Sequence, residues 1–193
     1  MAGVVRANPR ADDESIDTAA VLRPPWRHLA AAAACAALGL LAFGRDARVP
    51  LLGWIDLCVH EFGHVAAAPL PPVAVAMAGS TGQILLPLLL AGAFWFVRGE
   101  PLSAMICLAW AGTSAHDAAA YIADAPYERL ELIGGTHDWA YALGPGGFDA
   151  LGSAGAIAGA VRGAGLLMVV VASAWCLLSP LRGRGEPEAA ASR

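Results

Sequence analysis

The 193-residue chain contains no lysine: all twelve of its basic side chains are arginine, set against sixteen acidic residues for a formal net charge of −4. Nucleic acid is therefore excluded as a partner, because phosphate binding needs a basic face. Charge of either sign is scarce. Charged residues make up 15% of the chain and hydrophobic ones 58%, whereas a soluble domain carries about 25% charge. A soluble domain this short would have to expose large apolar patches, so the composition excludes that class as well. No C-x-x-C pair occurs. Cys35, Cys58, Cys107 and Cys176 each stand alone in a separate apolar run, which fits neither a zinc ribbon nor a disulfide framework and reads as small core residues. Cys58 lies two positions before His60 but points away from the histidine face of the helix. Internal repeats are absent too, and with them the paired halves expected of a transporter. Arginine without lysine, amid abundant alanine and glycine, reads as GC-rich coding. It predicts a bacterial source and hence the bacterial cytoplasmic (inner) membrane as the location.

What is present is a set of apolar runs. Residues 1–22 are polar, with Asp12, Asp13, Glu14 and Asp17 close together and no apolar period, and read as a disordered tail. Residues 23–180 read as one all-α, polytopic membrane helix bundle, and 181–193 as a second polar tail. Arg23, Trp26, Arg27 and His28 form an interfacial collar before the run Leu29 to Phe43, which is better read as a retained helix than as a signal peptide, since its leader is long and acidic. About five apolar segments follow one another: 29–43, 51–68, 73–97, 101–123 and 164–178. In the third, Gly79-Ser80-Thr81-Gly82-Gln83 predicts a break into a re-entrant piece and a helix from about Ile84, with Pro87 adding a kink. Arginines near both termini place both in the cytoplasm, which needs an even number of crossings. Either one segment is re-entrant or a further span lies between Phe148 and Val161. Gly155, Gly159 and Gly163, spaced by four, predict close packing of the last helix within the chain.

The second segment, at about 51–68, holds His60-Glu61-Phe62-Gly63-His64. On a helix the two imidazoles project from one face one turn apart and can share a metal ion, while Glu61 can act as general base on a metal-bound water. A carboxylate at membrane depth faces a protein interior or a wet cavity, because lipid exposure costs about 2.5–3.5 kcal/mol. Asp56, one turn before His60, is placed to accept the second ring proton of His60 and so fix its tautomer. It also fits a helix-start carboxylate favoured by the macrodipole.

The fourth segment is polar on one side, with Thr113, Asp117, Tyr121 and Asp124 at helical spacing and His116 beside them. One intervening span makes it parallel to the motif helix, so the two polar stripes can meet. Further on, Gly134-Gly135 permits a sharp return that can deliver His137 and Asp138 to the mouth of the bundle, with Trp139 and Tyr141 bordering an entrance.

On His60, Glu61 and His64, the apolar setting and the second polar helix, the central half of the chain resembles the intramembrane zinc metalloproteases of the site-2 protease class, and more loosely the short M50-like bacterial membrane proteins. The resemblance implies Zn2+ held by His60 and His64 with an aspartate from a later helix, Glu61 activating water, and a membrane-protein substrate. The family's Asp-Gly ligand motif has no counterpart here. His137 is the leading third ligand, because an imidazole on a hinged loop reaches the metal without burying a charge. Asp117, Asp124 and Asp138 are the alternatives. The expected function is a zinc-dependent intramembrane hydrolase, a metallopeptidase. The competing expectation is a non-catalytic structural or interaction protein whose histidines, Asp56 and Asp117 form a buried polar network.

Overall fold

The computed structural model describes residues 26–133 and 135–182. The tail at 1–22, the collar residue Arg23 and the tail beyond Arg182 lie outside the described residues. The described residues are helical, with no strand among them. Helix α1 (Trp26–Gly39) ends in a π turn, Leu40–Gly44; α2 is Leu52–Ala66; α3 (Pro72–Gly92) ends in a second π turn, Ala93–Val97; α4 is Pro101–Asp124; α5 is the short Asp138–Leu143; and α6 (Ala154–Arg182) follows a 3-10 turn at Leu151–Ser153.

Among the described residues three stretches are long and apolar enough to cross a membrane: Trp26–Gly44, Pro72–Val97 and Leu151–Ser179. The fifteen residues of α2 fall below the roughly 17 that a span needs. Helix α4 is long enough at 24 residues but carries its polar stripe through its second half. The loops obey local chemistry. Proline opens both α3 and α4, where its missing N–H costs nothing, and Gly99, between α3 and α4, takes the left-handed turn at φ 63°.

Helix α4 is the hub, packed on α6, α1 and α3, while α2 lies against α3. Its residues Ala104, Ala109, Ala111, Ala115, Ala118 and Ala119 are buried, and small side chains let neighbouring backbones come close. Where α4 crosses α6 a Cβ on Gly112 would stand 2.5 Å from the Gly165 carbonyl oxygen, and one on Gly165 2.6 Å from that of Gly112. One apolar cluster joins α1, α4 and α6 around Cys35, Ala109 and Cys176; a second surrounds Ile122, Trp139 and Leu143 where α5 meets α3, α4 and α6.

Three expectations about the bundle change. Helix α3 runs through residues 79–82 without interruption, so the glycine patch is a helix-crossing surface and not a re-entrant break. Helix α6 begins at Ala154, well before 164, so the stretch from Phe148 to Val161 supplies its first turns instead of another span. Among the described residues nothing approaches a Cβ on Gly155, Gly159 or Gly163 within 4 Å, because these glycines lie on the outer face of α6 and Gly165 makes the close contact.

Candidate metal centre

Helix α2 carries His60 and His64 on one face, with ring centroids 4.8 Å apart and ring planes at 74°. They face α3 where both helices lack side chains. A Cβ on Gly63 would lie 2.5 Å from the Ala78 carbonyl oxygen, and one on Gly79 would lie 2.5 Å from His60 Nε2 and 2.6 Å from His64 Nε2. The space for the two imidazole tips exists because residue 79 is glycine.

Each imidazole is held from behind. His64 Nδ1 donates to the Val75 carbonyl at 2.8 Å, and a carbonyl can only accept, so the proton of a neutral His64 sits on Nδ1. The Gln83 amide nitrogen donates to the Ser114 carbonyl at 3.1 Å, which turns Oε1 toward His60 Nδ1 at 2.9 Å. The same logic assigns the proton of a neutral His60 to Nδ1. Both Nε2 atoms thus present lone pairs, the tautomer that metal-ligating histidines adopt when the other ring nitrogen is hydrogen-bonded.

Those lone pairs converge on Asp138. Its Oδ2 lies 3.1 Å from His60 Nε2 and 3.2 Å from His64 Nε2. Asp138 is the first residue of α5, whose start docks on α4: the Tyr121 hydroxyl donates to Asp138 Oδ2 at 3.3 Å and accepts from the Asp138 backbone N–H at 3.0 Å. Without a cation the arrangement conflicts with itself. One proton on an Nε2 satisfies one contact and leaves the other as lone pair against carboxylate. Two protons set two imidazolium rings beside a single carboxylate, a like-charge pair in a partly buried site. A divalent cation satisfies both contacts at once.

The three residues form a group that could hold a metal ion. Ligands about 2.0–2.2 Å from a tetrahedral ion stand about 3.3–3.6 Å from one another; Asp138 Oδ2 stands 3.1 and 3.2 Å from the two Nε2 atoms, slightly inside that spacing, and one ligand atom from each of the three residues lies within 4.8 Å of the others. Three protein ligands would leave a tetrahedral ion one open position. The trio borders a cavity of about 570 Å³ also lined by Glu61, Tyr121, Asp117 and Arg48.

The other expected site residues do not join the His60, His64 and Asp138 group. His137 is fully buried and caps α5, its Nδ1 accepting the Ala140 N–H at 3.2 Å, while Nε2 stands 3.4 Å from Asp124 Oδ2. The loop does return to the bundle, but it is the next residue that meets the imidazoles, because His137 is spent on starting the helix. Asp124 is a loop anchor, its Oδ2 accepting the backbone N–H groups of Arg129 and Leu130 at 2.9 and 3.0 Å. Asp117 pairs with Arg48 Nε at 2.9 Å. Asp56 does not reach His60: it is buried on the α4 side of α2, where Oδ1 accepts from Trp110 Nε1 at 2.8 Å and Ser114 Oγ at 2.9 Å. The role foreseen for it belongs to Gln83. Trp139 borders no entrance but is buried, its Nε1 donating to Ser80 Oγ at 2.9 Å. Cys58 is exposed and stays out of the cavity lining.

Sequence reasoning did not give Gln83, the Val75 carbonyl, Tyr121 or Gly79 these duties. Gln83 had a readable signal, as the lone amide in an uncharged span.

Gly79→Ala is expected to cut zinc affinity by about 10- to 100-fold, the usual effect of disturbing a ligand's support. A methyl group there displaces rings that Gln83 and Val75 hold in place. Zinc titration of the detergent-solubilised variant, with helicity checked by circular dichroism, reads this directly.

No family model, no curated protein and no solved structure matches this chain.

Proposed function

We propose that the chain is a zinc-dependent membrane hydrolase, a metallopeptidase in which His60, His64 and Asp138 hold the ion and Glu61 is the general base. The observation that carries this reading is the pair of Nε2 lone pairs aimed at one carboxylate oxygen, with both Nδ1 protons committed elsewhere. The His-Glu-Phe-Gly-His spacing and its resemblance to the site-2 protease class support a peptide as substrate. The three apolar stretches support a substrate met at the membrane, and the arginine-only composition supports the bacterial inner membrane.

Zinc bound there would polarise a scissile carbonyl and bring a coordinated water to a pKa of about 7. The chain's own groups do the rest. Glu61 is exposed and lines the cavity beside the histidines, within the space where it can take the water's proton as the water oxygen bonds to the carbonyl carbon. It then gives that proton to the amine nitrogen as the C–N bond breaks. Gln83 and Val75 fix the imidazoles, and Tyr121 fixes the carboxylate. Ligands held this way need no rearrangement when charge develops.

The test is metal uptake. Chain purified in detergent, stripped with a chelator and titrated with Zn2+ is expected to bind about one ion and to melt at a higher temperature in its presence, as any ligand of the folded state requires. Folded protein that takes up no zinc would leave the residues as a polar network joining α2, α3 and the start of α5, and the enzyme reading would fall.

A further inference from the structure

Arg48 is the one permanently charged cation among the described side chains that line the cavity; the other charged ones are Glu61, Asp117, Glu131 and Asp138. It stands in the turn before α2 and is fixed at two points. Its stem lies over Gly53, where a Cβ would come within 2.7 Å of Arg48 Cγ and 2.8 Å of Cδ. Its Nε is held by Asp117 Oδ1 at 2.9 Å. That leaves the forked Nη end of a side chain 59% exposed, the geometry that receives a carboxylate through two parallel hydrogen bonds. An arginine serving only as a surface ion pair would need neither the missing side chain at Gly53 nor a place in the cavity wall.

Arg48 also lines a second cavity of about 320 Å³, and Leu57 and Ile133 border both, so the two spaces adjoin. The second is walled by Val49, Pro50, Leu51 and Trp54 and is mostly apolar. The side chains that hold Arg48 and Asp138 lie on one face of α4. Asp117, which holds Arg48, precedes Tyr121, which holds Asp138, by four residues, or about 6 Å along a helix axis. One extended residue spans about 3.3–3.6 Å.

We propose that the site takes the carboxyl-terminal end of a peptide: Arg48 binds the free carboxylate, the adjoining apolar cavity takes the last side chain, and the bond cut lies one or two residues from the end. This rests on the zinc-hydrolase reading and adds to it a direction of binding and a preference for a free terminus. Hydrolysis consumes one water, whose hydroxyl joins the new carboxyl carbon and whose remaining proton goes through Glu61 to the released amine.

The test uses the full chain in detergent loaded with Co2+, whose visible spectrum reports inhibitor binding without turnover. Two peptide hydroxamates are compared that share a benzyl side chain and differ only in ending in a free carboxylate or a primary amide. The carboxylate is expected to bind on the order of tenfold or more tightly, the worth of a charge-assisted bidentate pair. Arg48→Gln is expected to erase that difference while cobalt stoichiometry stays unchanged. Equal binding of the two hydroxamates by the unmodified chain, or a difference that survives Arg48→Gln, overturns the terminal-carboxylate proposal and leaves the metal site standing. A folded chain that gives no cobalt spectrum overturns the zinc reading itself.

Discussion

Asp138→Ala is expected to lower zinc affinity by on the order of a hundredfold or more, whereas His137→Ala leaves the ion bound with a loss of about tenfold at most. The two residues are adjacent, and the contrast follows from which way each is turned. Asp138 gives its Oδ2 to both imidazole tips at 3.1 and 3.2 Å, so its removal leaves two ligands where a stable zinc site needs three or four. His137 is buried away from the tips and starts α5 through the Ala140 N–H. Losing it removes a helix cap, worth about 1 kcal/mol, and loosens the segment that carries Asp138 without removing a ligand. Zinc titration of the two variants side by side decides the assignment. If His137→Ala releases the ion and Asp138→Ala does not, the third ligand is the histidine and α5 docks differently from the arrangement described above.

This contrast also marks where the sequence stops being legible. An all-helical chain with helices apolar enough to span a membrane can be read from composition and run length, because both are local. The convergence of His60 and His64 is local as well: spacing of four on one helix brings two rings to one face whatever the rest of the chain does. Their partner is not local. Whether the residue delivered by the loop is His137 or Asp138 depends on which of them begins α5, and that depends on the docking of α5 against Tyr121, a contact across seventeen positions. The Asp56 reading failed for a similar reason. Helical spacing puts Asp56 one turn from His60, but Trp110 and Ser114 on α4 offer it two donors, and a buried carboxylate goes where donors are. The glycines of α3 misled in the opposite direction. Taken one by one they lower helix propensity, yet they lie where α2 crosses, and the close approach of Gly63 and the two imidazoles supplies the reason for them. Tertiary contact overrides propensity there, and no local pattern announces it.

Glu61→Gln is expected to retain zinc at the stoichiometry and affinity of the unmodified chain while cleavage falls by about 10²- to 10⁴-fold, the usual worth of a positioned general base. The measurement is made on whichever member of a set of quenched fluorescent peptides the unmodified chain cleaves fastest in detergent, with bound zinc assayed on the same preparations. The separation of the two readouts is what identifies the role. Glu61 is not one of the three residues whose ligand atoms cluster, and it is exposed on the cavity side of α2, so an amide in its place disturbs neither coordination nor packing. It removes only the ability to accept a proton. A network protein behaves otherwise: with no proton transfer to lose, and with Glu61 making none of the hydrogen bonds that join α2 to α3 and α4, the substitution would leave every property unchanged. A ligand role behaves otherwise again, since zinc would be lost together with activity. Of these three roles only the general base loses cleavage at full zinc occupancy, and an unchanged cleavage rate would remove Glu61 from the mechanism.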